Sequence, residues 1–317
     1  MLSTVDLSLT LDQEEYEKYL IQYQVALFSL AYQVYVQQRP VVMVFEGWDA
    51  AGKGTSIQKL TSPIDPRGYK LYPIRAARTF EKKYPWLWRF WLKIPARGEW
   101  AIFDRSWYGR VMVERVESLI PEHEWRRAYR DITEFERALA DDGAVMIKFF
   151  LHISKQEQKR RFERLSKDPL NAWHVSPEDW EHHRRYDDWL IAYEEGLEST
   201  DTEWGPWTIV EATDRRHTWV KIFQTVTDCL GERLGVKYEQ VQKIVDSESL
   251  EGTDEDSEEI ELSVEPTGED SDDESPYGIE DRDLEAALSA NDMKIKETQD
   301  EWTLEEQSLE EKTLTSE

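Results

Sequence analysis

VVMVFEGWDAAGKGTSIQKL, residues 41 to 60, reads as a buried strand, a Gly-rich turn and a helix in succession. Val41 to Phe45 is a continuous apolar run without alternation, as expected of a strand covered on both faces. Gly47, four intervening residues, Gly52 and Lys53 have the spacing of a phosphate-binding P-loop. In such a turn successive N–H groups form a concave anion nest, and the helix behind them adds partial positive charge. Gly47, Ala51, Gly52, Lys53, Gly54 and Thr55 are therefore the candidate phosphate-binding residues. Lys53 would supply a point cation to the phosphoryl group in transit. The magnesium-binding Ser or Thr that normally follows the lysine is replaced by Gly54, with Thr55 one residue later. Asp49 inside the loop is the substitute. A carboxylate in an anion nest is costly unless a cation shares it, so Asp49 reads as a metal partner or an orienter of the phosphate nucleophile.

Working outward, the charge of the 317-residue chain is unevenly placed. The net charge is −27, but residues 246 to 317 hold 28 acids against 4 bases. The remainder carries 38 acids and 35 bases, a balance of −3. That tail has few apolar residues and high charge, and is expected to stay disordered. The near-neutral body lacks the basic footprint of a nucleic-acid binder. No apolar run is long enough to span a membrane, and the acidic N-terminus has no basic n-region, so no membrane association and a cytoplasmic location are expected. The single cysteine, Cys229, sits in an apolar helical pattern and reads as core.

Tyr16, Leu20, Tyr23, Leu27, Leu30 and Val34 recur at helical spacing within residues 11 to 38, and Pro40 ends that segment. Further strands are predicted at Lys70–Ile74, Trp100–Asp104, Val145–Ile153 and Trp207–Ala212, with a last helix over Arg215–Leu234. Alternation of strand and helix predicts an α/β fold with a parallel sheet wrapped on both faces.

Two more constellations bear on chemistry. AIFDRSWYGRVMVERVE, residues 101 to 117, places Asp104 at a strand end, where a carboxylate binds magnesium, and Arg105 and Arg110 just after it. Guanidinium groups match phosphate oxygens in pairs. HISKQEQKRRFERLSKDP then gathers Lys155, Lys159, Arg160, Arg161, Arg164 and Lys167 on one helix, balanced in part by Glu157 and Glu163. A further basic set, Arg75 to Arg97, is interleaved with Trp86, Trp88 and Trp91 and reads equally as snorkelling side chains or as ligand contacts.

FEGWDAAGKGT, FDRSWYGRVMVERVE, HISKQEQKRRFERLSKDPLNAW and PWTIVEATDRR together resemble the polyphosphate kinase type 2 family, in order from about residue 15 to 235. The likeness is to the polyphosphate:AMP phosphotransferase branch. The resemblance implies a P-loop kinase-like three-layer sandwich with a five-stranded parallel sheet. Residues 1–40 would be an N-terminal helical segment, 41–245 the phosphotransferase domain with a helical lid near 154–190, and 246–317 the acidic disordered tail. It implies magnesium-dependent phosphoryl transfer between inorganic polyphosphate and a nucleotide, AMP to ADP favoured and ADP to ATP second. Asp49, Lys53, Asp104, Arg105 and Arg110 would be the catalytic set, Asp49 and Asp104 the metal ligands, and the six lid cations the polyphosphate track. A homo-oligomer is expected. Two departures stand out: many relatives of that branch carry two such domains in tandem, and the acidic tail lies outside the pattern. The competing reading is an ATP-dependent nucleoside monophosphate kinase, because FEGWDAAGKGT also resembles the thymidylate kinase loop. The basic run after Asp104 fits a polyanion better. The guanine-reading N-K-x-D pattern and an LSGGQ-like signature are both absent from the sequence.

Overall fold

A computed structural model describes residues 1–170 and 172–236; the acidic segment 246–317 lies outside the described residues. Five strands form one parallel sheet in the order β2-β3-β1-β4-β5. They are β1 Val41–Gly47, β2 Tyr69–Pro73, β3 Trp100–Asp104, β4 Val145–His152 and β5 Trp207–Glu211. The helices are α1 Gln13–Val36, α2 Lys53–Thr61, α3 Trp88–Trp91, α4 Val113–Val116, α5 Glu122–Asp141, α6 Lys155–Lys167, α7 Pro177–Arg184, α8 Tyr186–Thr200 and α9 Arg215–Leu234. Every strand predicted from the sequence is present, with ends shifted by no more than two residues.

The strand order explains the layering. The chain moves one way across the sheet from β1 to β2 and the other way through β3, β4 and β5. Right-handed crossovers then put α2 on one face and α5 on the other. α9 joins α2 and packs against β4, β5 and α1; α8 joins α5. The expected three-layer α/β sandwich is the result. Central strands β1 and β4 are buried at every position, in keeping with their mostly apolar sequences. Edge strand β2 is mostly exposed.

Helix ends follow local chemistry. Asp12 caps α1 by accepting from Glu15 N at 2.8 Å. Ser176 and Asp179 form a reciprocal capping box ahead of α7, with Pro177 at its first position. Leu20, Leu27, Leu30 and Val34 of α1 are buried, with Tyr16 and Tyr23 packed partly beside them, as the periodicity indicated. Cys229 is only half-buried, although its thiol pKa is raised by burial.

One polar group lies deep in this core. Glu136 of α5 and Lys148 of β4 are fully buried and 2.8 Å apart. Glu136 also accepts from Trp107 Nε1 at 2.9 Å and from the Tyr108 hydroxyl at 2.7 Å. The Lys148 ammonium donates in addition to the Thr200 carbonyl at 2.9 Å. The network ties the Asp104–Arg110 segment to α5, β4 and α8. Removing one partner would leave an uncompensated charge. Lys148→Met is expected to lower stability by about 3–5 kcal/mol, and Glu136→Gln combined with Lys148→Met to recover part of that loss, both read from urea denaturation.

Candidate phosphoryl-transfer site

The site sits at the C-terminal edge of the sheet, where α/β folds gather their ligands. β1 ends at Gly47, paired in register with Leu151 of β4. Gly47 has φ +131°, and a Cβ on it would lie 2.3 Å from the Leu151 carbonyl oxygen. Only glycine allows the chain to turn here so close to β4. Trp48 N donates to Leu151 O at 3.2 Å, and the loop then runs to Gly52, whose φ of +102° opens α2. No side chain caps α2, so its first N–H groups face the loop. Lys53 is buried and donates to the Gly47 and Trp48 carbonyls at 2.8 and 3.0 Å, which curls its ammonium over the nest. Burial lowers its pKa.

Asp49 meets a guanidinium and an imidazole. Arg105 Nη2 donates to its Oδ1 at 2.7 Å, and His182 Nδ1 of α7 lies 3.5 Å from its Oδ2. Burial alone would raise the Asp49 pKa, but the His182 hydrogen bond and the charges of Lys53 and Arg105 outweigh it and hold the carboxyl well below the usual range. The same contact raises the His182 pKa. Arg105 has φ +61°, a left-handed conformation, while its N–H donates to Phe45 O at 3.0 Å. Asp104 ends β3 opposite Phe45, and its carboxylate makes no hydrogen bond or ion pair among the described residues. Among those residues no group of three or more His, Cys, Asp or Glu is arranged to hold a metal.

Other expected residues are placed differently. Arg110 is paired with Glu114 and Glu124 and lies over the Trp86 ring; the Asp49–Arg105 pair is not among its partners. Neighbouring carboxylates hold its guanidinium in this structure. Arg161 also differs in placement from the other α6 cations. It was expected among the cations facing a polyanion, yet it is buried and points inward. It donates to the Ala50 and Ala51 carbonyls at 2.9 and 3.0 Å, to Thr213 O at 3.0 Å and to Ala212 O, and it pairs with Glu157. It clamps α6 to the P-loop and to the turn after β5. Lys155 is half-buried and Lys159 and Arg160 are exposed, paired with Asp187, Glu163 and Glu157, whereas Arg164 and Lys167 are exposed at the end of α6.

Sequence reading missed three contributors. His182 is one; its neighbour Arg185 binds Glu117 at 2.9 Å and the Val116 carbonyl at 2.6 Å, joining α7 to the segment after Arg110. Tyr186 is another, stacked on Trp48 of the P-loop with ring centroids 3.8 Å apart. Glu46 is the third, and its signal was visible: an acid inside an otherwise apolar strand. It is buried and accepts from Ser106 Oγ at 2.8 Å. Burial pushes its pKa up to about 7, against the lowering effects of Ser106, Lys53 and Arg105.

The parallel sheet in this order, with a P-loop between its central strands, defines a kinase-like P-loop α/β protein. More narrowly, the chain belongs to the polyphosphate kinase 2 family, whose family model, Polyphosphate kinase 2 (PPK2), matches residues 10–237. It is 42% identical over 230 residues to the polyphosphate:AMP phosphotransferase of Pseudomonas syringae pv. tomato, covering 73% of this chain and 46% of that protein. It is 35% identical over 203 residues to the AMP/ADP-polyphosphate phosphotransferase of Meiothermus ruber, covering 64% of this chain and 76% of that one. Polyphosphate kinase 2 from Arthrobacter aurescens TC1 superposes with a TM-score of 0.71 at 28% identity, over 78% of this chain and 93% of that one. The chain thus spans about half the length of the Pseudomonas relative and most of the Arthrobacter one. No described helix is long and apolar enough to cross a membrane.

Glu46 gives this site a pH signature. Its folded pKa of about 7 exceeds the model-peptide carboxylate value, so its contribution to stability is complete below about pH 4.3 and is lost as pH rises toward 7. Glu46→Gln removes the titrating group. Its stability relative to wild type is expected to rise between pH 4.5 and 7 and to level off above, as read by urea denaturation across that range. A constant difference at all pH values would mean that Glu46 is ionised in the fold.

Proposed function

We propose that this chain transfers phosphoryl groups between inorganic polyphosphate and a nucleotide in the presence of magnesium. AMP to ADP is the favoured step and ADP to ATP the second. The observation that carries the reading is the Asp49–Arg105 ion pair at the mouth of the P-loop, with Lys53 behind it and the unpaired Asp104 beside it. The names of the relatives support polyphosphate as one substrate and an adenine nucleotide as the other.

Terminal phosphoryl transfer passes through a loose transition state with charge on the equatorial oxygens. The P-loop N–H groups and the Lys53 ammonium would bind those oxygens. An arriving phosphate competes with Asp49 for the Arg105 guanidinium. Arg105 then bridges donor and acceptor, and Asp49 is released. Magnesium, which needs only one or two carboxylates when phosphates complete its shell, fits Asp49 and Asp104 and would neutralise charge on the bridging oxygens. The attacking phosphate oxygen is already ionised at neutral pH, so no strong general base is required. Helices α6 to α8 would act as the lid, excluding water from the transfer. Their polyphosphate track is assigned to the cations Lys155, Lys159, Arg160, Arg164 and Lys167, with Arg161 holding the lid base. A cytoplasmic location belongs to the same proposal.

Lys53→Ala and Asp104→Asn are each expected to slow transfer at least about a hundredfold with an unchanged circular dichroism spectrum. Near wild-type turnover in either would remove that residue from the site. The donor is checked with AMP as acceptor and either polyphosphate or ATP supplied; ATP as the better donor would replace this reading by a nucleoside monophosphate kinase.

Arg164→Gln with Lys167→Gln should weaken polyphosphate binding more than nucleotide binding and flatten its salt dependence, by analogy with counterion release. Equal weakening of both ligands, measured by titration at several salt concentrations, would dissociate α6 from the polyphosphate track.

A further inference from the structure

Trp48 follows Gly47 in the phosphate loop, and its side chain is only 2% exposed. A loop that binds anions through backbone N–H groups has no use for so large a ring inside the nest. The indole packs instead on the last residue of β4 and on α8. Its Nε1–H donates to Nδ1 of His152 at 2.9 Å. Its face lies on Tyr186, with ring centroids 3.8 Å apart and planes 5° from parallel, and Tyr193 meets it edge-on at 4.8 Å. An indole N–H can only donate, so His152 accepts with a bare Nδ1 and carries its proton on Nε2. Burial favours that neutral ring and pushes its pKa down to about 4, against the charges of Glu194 on α8 and Glu211 on β5. The main chain of residue 48 is held as closely. Its N–H donates to Leu151 O at 3.2 Å, and its carbonyl accepts from Ala51 N at 3.1 Å and from the Lys53 ammonium at 3.0 Å.

We infer that Trp48 and His152 are positioning residues for phosphoryl transfer, their hydrogen bond fixing residue 48 so that its carbonyl aims the Lys53 ammonium and the loop presents Asp49. The inference rests on the function proposed above. Both rings are buried, so they act through Lys53 and Asp49 and not on the phosphates themselves. The same joint gathers the ends of the α6–α7 segment. Ile153 lies just before α6 and Tyr186 opens α8, and the Tyr186 hydroxyl donates to Ile153 O at 2.9 Å. With Tyr186 stacked on Trp48, the entry and exit of the lid meet at the residue that holds Lys53. A small displacement of groups that must align with a transferring phosphoryl group slows the reaction steeply, whereas binding of the extended substrates draws on many other contacts.

A double-mutant cycle in the full chain tests this. Trp48→Phe keeps a ring in the stack and removes the donor. It is expected to lower kcat about tenfold, with KM for polyphosphate and nucleotide changed by less than about twofold. His152→Leu strands the indole N–H in the core and should lower both kcat and the urea midpoint. Combining the two leaves no unpaired partner. The urea midpoint of the double variant should rise above that of His152→Leu, while its kcat stays at the level of Trp48→Phe, because a single contact is lost once. Kinetics are taken well below the unfolding transitions, where a contact that only stabilised the fold would leave kcat intact. Nitrogen-15 NMR of the histidine-labelled wild type should show His152, identified by its loss in His152→Leu, as a neutral Nε2–H ring that does not titrate between about pH 6 and 8. Wild-type kcat in Trp48→Phe, losses that multiply in the double variant, or an ordinary His152 titration would each overturn the inference. A wild type inactive with both polyphosphate and ATP would instead overturn the proposed function, and the positioning role with it, while the tautomer and the urea midpoints would still decide the Trp48–His152 contact.

Discussion

The close approach of Gly47 to Leu151 is the constraint from which the site follows. Two central strands lie side by side, and the chain leaves one of them across the backbone of the other. With a side chain at position 47 the turn would have to rise away from the sheet. The nest of N–H groups, the start of α2 and the position of Lys53 would all move with it. Arg161 secures the same loop from outside. A buried guanidinium needs partners for its donors, and it finds them in the carbonyls of Ala50, Ala51, Ala212 and Thr213. The P-loop, the turn after β5 and the base of α6 thereby become one unit.

On that frame the charges are arranged to compensate one another. Asp49 would be costly in an anion nest, and Arg105 and His182 offset that cost from two different elements. Arg105 keeps a left-handed backbone conformation, of the kind that persists only where the surroundings hold it in place. Glu46 and Lys53 are both buried, and burial shifts both toward their neutral forms. The Glu136 network beneath holds the segment from Trp107 onward rigid, so Arg105 is presented from a fixed support. Arg110 illustrates the opposite arrangement. Its two carboxylate partners make it a strut between α4 and α5 in this structure.

The outer face of α1 follows a different logic from the rest of the surface. Helices α5, α6 and α7 carry i,i+4 ion pairs, α5 with Arg126–Glu122, Arg127–Asp131 and Arg137–Asp141. Such pairs keep a face soluble at little energetic gain. α1 has none along its length after Lys18 and presents aromatic rings instead.

How much could be read without coordinates depended on the range of the signal. Apolar runs and the 3-4 spacing of α1 are local, so strands, helices and the parallel α/β class were legible, as was the placing of Gly47, Asp49 and Lys53 in the loop after β1 and of Asp104 and Arg105 at the end of β3. Burial and partner choice are not local. Whether an arginine faces solvent depends on which acceptors the fold brings to it, and the carbonyls that Arg161 meets lie 51 to 111 residues away. His182 reaches Asp49 across 133 residues, a contact without any spacing signature. Glu46 showed itself as an acid in an apolar strand, but its raised pKa comes from a depth that only packing sets. The sequence by itself determined the sheet, the loop and the residue types that can hold phosphate. The tertiary structure alone decided which cations stay available, because a guanidinium satisfied by buried carbonyls has no donors left for a ligand.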